Sequence, residues 1–227
     1  MDDLRTGILN DASITRDRVA ALAAFAAGRR TLNVGCTGSR PGRGATAGTL
    51  DRHLKVVEQA SECLGIDLDS DGVADLTRRG LDAQVADACT CDLGRTFQAI
   101  IAGEIIEHVS NGGLFLENMG RHLDPDGILA VSTCNPFYVK QQWKILRHGH
   151  PGIHSQHAAW YDPITLMELA DRHGLAPVQL IWVRERRGFD PRLWKRRLRR
   201  YFNSNFIMVF TPRRDADDSG KPNDGKA

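Results

Sequence analysis

The run Phe97-Gln-Ala-Ile-Ile-Ala102 constrains the fold more than any other stretch of this chain. Broken only by Gln98, it reads as a strand buried on both faces, as in a parallel sheet with helices packed above and below it. Further strand candidates are 31–35, 62–67, 82–86, 127–133, 177–183 and 205–210. Between them, apolar residues at helical spacing predict helices over 14–28, 49–60, 70–79, 111–123 and 163–173, with Gly28, Gly80 and Gly174 as stop signals. Strands alternating with helices predict an α/β, seven-stranded doubly wound sheet whose ligands sit at the carboxyl ends of the strands.

The first of those ends is the junction Thr31-Leu-Asn-Val-Gly35-Cys36-Thr37-Gly38-Ser39, followed by glycines at 42, 44 and 48. A strand running into glycine lets backbone approach a bound cofactor, because glycine accepts φ > 0 and has no Cβ. Thr37-Gly38-x-x-x-Gly42-x-Gly44 matches the TGxxxGxG fingerprint of short-chain dehydrogenases. Two features oppose a nicotinamide cofactor. Pro41 and the stretch 45–48 delay the helix whose N-terminus should hold the pyrophosphate. The Tyr-x-x-x-Lys pair of that family is also absent, since the residues four places beyond the three tyrosines are Gln142, Thr165 and Asn205.

The chain has 227 residues, 41% apolar and 26% charged, enough for one well-filled core, with a net charge of +2. No apolar run reaches the ~18 residues that a membrane span needs. The N-terminus carries Asp2, Asp3 and Arg5 and no apolar core segment, unlike a signal peptide, so a cytoplasmic protein is expected. The five cysteines (36, 63, 89, 91, 134) include no CxxC spacing and read as reduced thiols. A single domain over 1–212 and a disordered tail over 213–227 complete the organisation.

Downstream strand ends carry the more specific signal. Asp67 ends the second strand, where a carboxylate can accept both hydroxyls of a ribose. Asp87 ends the third, and Gly103-Glu104 follows the fourth. With these residues, and with the segments 97–108 (FQAIIAGEIIEH) and 123–131 (LDPDGILAV), residues 28–180 resemble the class I S-adenosylmethionine-dependent methyltransferases. The resemblance implies a Rossmann-like sheet with an antiparallel last strand, and S-adenosylmethionine as cofactor. Gly35, Cys36 and Thr37 would pass beneath its methionine part. Asp67, with Leu68 beside it, would hold the ribose. Asp87 and Ala88 would meet the adenine, and Gly103 and Glu104 would flank the sulfonium region. The departures lie in the first motif: Asn33 replaces the usual acid, and Thr37 and Ser39 replace the second and third glycines. Their Cβ atoms require a different loop path, and a cofactor-binding relative without activity stays open.

Methyl transfer needs positioning above all, and a base only where a hydroxyl must lose its proton. His157 is the preferred base, with Trp160 and Tyr161 beside it as walls for an acceptor; His108, after Glu107, is the second candidate. His154 and His53 are weaker candidates. Asp69 and Asp71 read as the start of a helix, so no metal is expected. Asn135-Pro136-Phe137 looks like an amide-methylating motif but follows the fifth strand instead of the fourth. Nine Lys or Arg residues fall between Arg184 and Arg200, with Trp194, Leu198, Tyr201 and Phe202 at helical spacing. This segment, 184–202, reads as a surface helix packed on the domain, a membrane-surface contact or a site for an anionic acceptor. The sequence pI near 8.3 argues against a dedicated nucleic-acid binder. The expected reaction is O-methylation of a small-molecule acceptor such as a sugar, nucleotide-sugar or secondary metabolite, with nucleic-acid methylation as the alternative.

Overall fold

The structure, a computed structural model, describes residues 3–38, 47–152, 155–184 and 202–213. Its elements in chain order are α1 (Asp3–Asn10), β1 (Ser13–Thr15), α2 (Arg18–Ala24), β2 (Arg30–Val34), α3 (Ala47–Gln59), β3 (Glu62–Asp67), α4 (Ser70–Arg78), β4 (Ala83–Val85), β5 (Phe97–Gly103), α5 (Gly112–Arg121), β6 (Leu123–Cys134), α6 (Val139–His148), α7 (Pro163–Arg172), β7 (Leu175–Val183) and β8 (Asn205–Pro212). The strands form one sheet in the order β1-β7-β8-β6-β5-β2-β3-β4. β8 runs antiparallel to both β6 and β7, and the other pairings are parallel.

The seven expected strands are all present, and the sheet has an eighth. β1 pairs in parallel with β7, Ile14 opposite Trp182. It corrects the helix expected over 14–28. Asp17 has extended backbone and its carboxylate accepts from Ala20 N, so α2 begins at Arg18 and cannot extend back through Ile14. At the other end α2 stops at Ala24, and Gly28, at φ +66°, donates its N–H to Gln59 O.

β5 lies at the centre, and its pleat explains the apolar run. Ile100 and Ala102 pack into a core with Phe115, Leu116 and Met119 of α5 and Leu166, Met167 and Ala170 of α7. Ile101 faces the opposite layer, with Leu22, Ala23, Ala26 and Val56. Gln98 is exposed, where β5 begins, and its side chain accepts from Arg30 N. Each fully buried Ile or Phe adds about 1.5–3 kcal/mol over exposure. Among the described residues, no helix is long and apolar enough to cross a membrane. Segment 185–201, which carries most of the basic stretch, and the tail from 214 lie outside the described residues.

Candidate active site

β2 and β5 are neighbours, yet the chain leaves β2 toward β3 and β4 before it returns to β5. This reversal marks the switch point at the carboxyl ends of the two strands, where ligands of open α/β sheets bind. Gly35 leaves β2 at φ +73°, and a Cβ there would run into the Ile105 side chain. Left-handed backbone and close packing thus both require glycine. Cys36 turns its sulfur inward: a Cβ on Gly65 would lie 2.8 Å from it. Burial, and then the charge of Asp67, hold the Cys36 thiol well above its ordinary pKa, so it stays protonated.

Thr37, expected to obstruct the cofactor loop, points elsewhere. It is fully buried, its methyl 2.7 Å from where a Cβ on Gly72 would stand, so the glycine of α4 makes room for it. Its N–H and hydroxyl both donate to Asp67 Oδ2, at 3.0 and 2.8 Å, while Asp69 N donates to Oδ1 at 3.0 Å. The carboxylate that the resemblance assigns to a ribose is therefore oriented in advance. Leu68 beside it is 66% exposed. Ser39 lies outside the described residues.

Asp87 follows β4 and closes a turn by accepting from Cys89 N at 2.8 Å. Ala88 is buried, and the loop 88–91 is held by Asn118 of α5, which donates to Ala88 O and Cys91 O at 3.0 and 3.1 Å. After Gly103, Glu104 takes φ +59°, the one non-glycine with positive φ among the described residues. Such backbone persists where its surroundings over-determine it. Here Arg18 Nη1 lies 2.7 Å from Glu104 Oε1, Ser132 Oγ donates at 3.2 Å and Asn205 Nδ2 at 3.1–3.2 Å. Burial, and then the charge of Arg18, lower the Arg52 pKa, which the charge of Glu104 opposes.

His108 and His157, separated by 48 intervening residues, come together with ring centroids 4.7 Å apart in an edge-on arrangement. Two backbone bonds join their loops: Ala158 N and Ala159 N donate to Glu107 O at 2.8 and 3.3 Å. His108 Nδ1 lies 3.2 Å from Gln156 O. A carbonyl only accepts, so Nδ1 bears a proton. His157 Nδ1 lies 4.0 Å from Cys134 Sγ, whose thiol is pushed up to about 12 by burial and then by Glu107 and Glu104. Glu107, which the sequence left without a role, is fully buried, and neither carboxyl oxygen has a hydrogen-bond partner among the described residues. Burial, then the charge of Glu104, push it up to about 8; the nearby Thr133 hydroxyl opposes this, although it makes no hydrogen bond to the carboxyl.

Donor atoms of Glu107, His108 and His157 all lie within 4.8 Å of one another, a set that could take a divalent cation. The sequence had weighed Asp69 and Asp71 for that role. His53 sits elsewhere, buried beneath the β2 loop, and His154 lies outside the described residues. Asn135 is buried and its amide is committed: Nδ2 donates to Asn203 O, and Oδ1 accepts from Phe137 N. The adjacent Glu107-His108 pair was the sequence signal for this cluster. Arg18, Arg52 and Asn118 carried none.

A family model described as a methyltransferase domain matches residues 11–180, three quarters of the chain. The chain belongs to the class I S-adenosylmethionine-dependent methyltransferases. Its cofactor is S-adenosylmethionine. The chain is 32% identical over 120 residues to a ubiquinone biosynthesis O-methyltransferase of Azorhizobium caulinodans, covering 48% of this chain and 41% of the relative. It is 28% identical over 151 residues to the enzyme of that name from Nitrobacter winogradskyi, covering 63% and 52%. This methyltransferase thus spans about half the length of the relatives it matches. In fold it is similar to the N-methyltransferase NodS from Bradyrhizobium japonicum in complex with S-adenosyl-L-homocysteine, with a TM-score of 0.57 at 14% identity over 90% of each chain.

Proposed function

We propose that this enzyme moves the methyl group of S-adenosylmethionine to a hydroxyl of a small-molecule acceptor, with His157 as the base. The observation that carries this reading is the meeting of His108 and His157 beside Gly103-Glu104. Asp67, with Leu68 beside it, would hold the ribose, Asp87 and Ala88 would meet the adenine, and Gly35 to Thr37 would form the floor. Arg18, held against Glu104, is the candidate cation for the carboxylate of the methionine part. Attack is in line: the acceptor oxygen bonds to the methyl carbon as the carbon–sulfur bond breaks. The role of base requires that His157 carry its ring proton on Nδ1, toward Cys134 Sγ, so that Nε2 takes the hydroxyl proton. The relatives named as O-methyltransferases support oxygen as the nucleophile and a small molecule as the acceptor.

Release of S-adenosylhomocysteine with hydroxylated acceptors tests this. His157→Asn should lower kcat by about a hundredfold or more and leave cofactor affinity unchanged by calorimetry. An unchanged kcat removes the base. The cluster of Glu107, His108 and His157 supports a second reading, in which a divalent cation lowers the pKa of the acceptor hydroxyl. Activity lost in EDTA and restored by Mg²⁺ would select it, and full activity in EDTA would reject it.

A further inference from the structure

We infer that α6 is a membrane-docking helix that seats this enzyme on an anionic phospholipid surface. No residue of α6 is buried, yet its apolar side chains are large. Val139, Trp143 and Leu146, at i, i+4 and i+7, share one face and are 42%, 65% and 80% exposed; Phe137, just before the helix, is 45% exposed. A contiguous exposed face of this kind marks an interaction site. The charges beside it identify the partner. Lys140, Lys144 and Arg147 follow the apolar residues one position on along the helix, and His148 and His150 come next. From Gly127 through Tyr161 the chain has no Asp or Glu. Apolar side chains with Trp on one face, flanked by Lys and Arg without compensating acids, fit the boundary between headgroups and acyl chains of an anionic bilayer.

The helix is firmly rooted. Gln142 Nε2 donates to Pro136 O, Gln141 Nε2 donates to Gly152 O, and Tyr138 at its start is buried. It joins the carboxyl end of β6 to the loop that carries His157, so docking would place the acceptor side of the enzyme next to the bilayer. The described flanks of the basic stretch, Arg184 after β7 and Phe202 before β8, emerge at this same edge of the sheet. The inference concerns the surface alone and holds whichever acceptor is methylated.

Co-sedimentation with vesicles of phosphatidylcholine and phosphatidylglycerol, and with phosphatidylcholine alone, tests it on the full chain. The wild type should pellet with the anionic vesicles, less as salt rises, with a blue shift of tryptophan emission that Trp143→Phe diminishes. Trp143→Ser with Leu146→Ser should weaken partitioning by about tenfold or more. Both sites are exposed, so the melting temperature and the affinity for S-adenosylmethionine should not change. Replacing Lys140, Lys144 and Arg147 by Gln should remove the salt-sensitive part of the binding. A wild type that stays in the supernatant at low salt overturns the inference. So does a double variant that binds vesicles as tightly as wild type, which would move the contact to the 184–200 stretch. Self-association that the double variant abolishes, without vesicle binding, would assign the face to a second copy and equally overturn it.

Discussion

Asn33 stands where related first motifs carry an acid, and its amide donates to His53 Nδ1 at 2.8 Å. Burial pulls this imidazole down to about 4, so it is neutral near pH 7. With Nδ1 accepting, the single ring proton sits on Nε2, which has no hydrogen-bond partner among the described residues. A carboxylate at 33 would reverse this preference and favour a protonated Nδ1. Asn33→Asp should therefore raise the His53 pKa by about two units or more, measured by NMR titration of the imidazole resonances. An unchanged value would mean that burial overwhelms the pair. Asp67 is the second residue whose surroundings decide its use. Thr37 and Asp69 fix its carboxylate, and a hydrogen bond to a charged group is worth about 1.5–3 kcal/mol. Asp67→Ala should weaken S-adenosylmethionine binding by roughly ten- to a hundredfold in calorimetry. A loss of less than twofold would show that the ribose is held elsewhere.

The loop that carries His157 leads directly into α7, and the start of that helix is well specified. Asp162 accepts from Ile164 N and Thr165 N, Thr165 Oγ1 accepts from Asp162 N, and Pro163 occupies the first turn. Asp162→Ala should cost about 1 kcal/mol, which lowers Tm by roughly 2–4 °C in a chain of this size. A melt that does not move would show the helix held by its packing on α5 and the sheet without help from the cap. Signals of this local kind made seven of the eight strands and the helices near α3, α4, α5 and α7 readable from sequence. β1 has three residues, too few to show alternation, and its position depends on pairing with β7. α6 follows Pro136, its N-cap residue Tyr138 makes no side-chain cap bond, and its apolar face meets no core. Neither a start signal nor burial marked it. The strand-end carboxylates were legible because each directly follows an apolar run. The cluster around Glu104 was not, since Arg18 and Asn205 reach it from α2 and β8, and only the sheet order brings them there.

Two buried titratable groups give the whole molecule a distinctive pH profile. His53 goes from an ordinary 6.5 to about 4 on folding, so the unfolded chain binds its proton between those values and stability rises with pH across that window. Glu107 goes from 4.5 to about 8, so the folded chain keeps a proton that the unfolded chain has released, and stability falls with pH across its window. Between 4.5 and 6.5 the two contributions cancel, one proton against one. Above 6.5 only Glu107 remains, at about 1.4 kcal/mol per pH unit. From pH 6.5 to 8 the loss is on the order of 2 kcal/mol, or roughly 4–8 °C in Tm. Glu107→Gln carries no ionisable group and should remove this decline, while keeping the rise between pH 4 and 6.5 that His53 supplies. Thermal melts of both proteins from pH 4 to 8.5, in EDTA so that no cation occupies Glu107, should give curves whose separation grows steadily from pH 4.5 to 8. Parallel curves would mean that Glu107 ionises in the folded enzyme as readily as in the unfolded chain, and that its burial beside His108 and His157 is compensated by solvent.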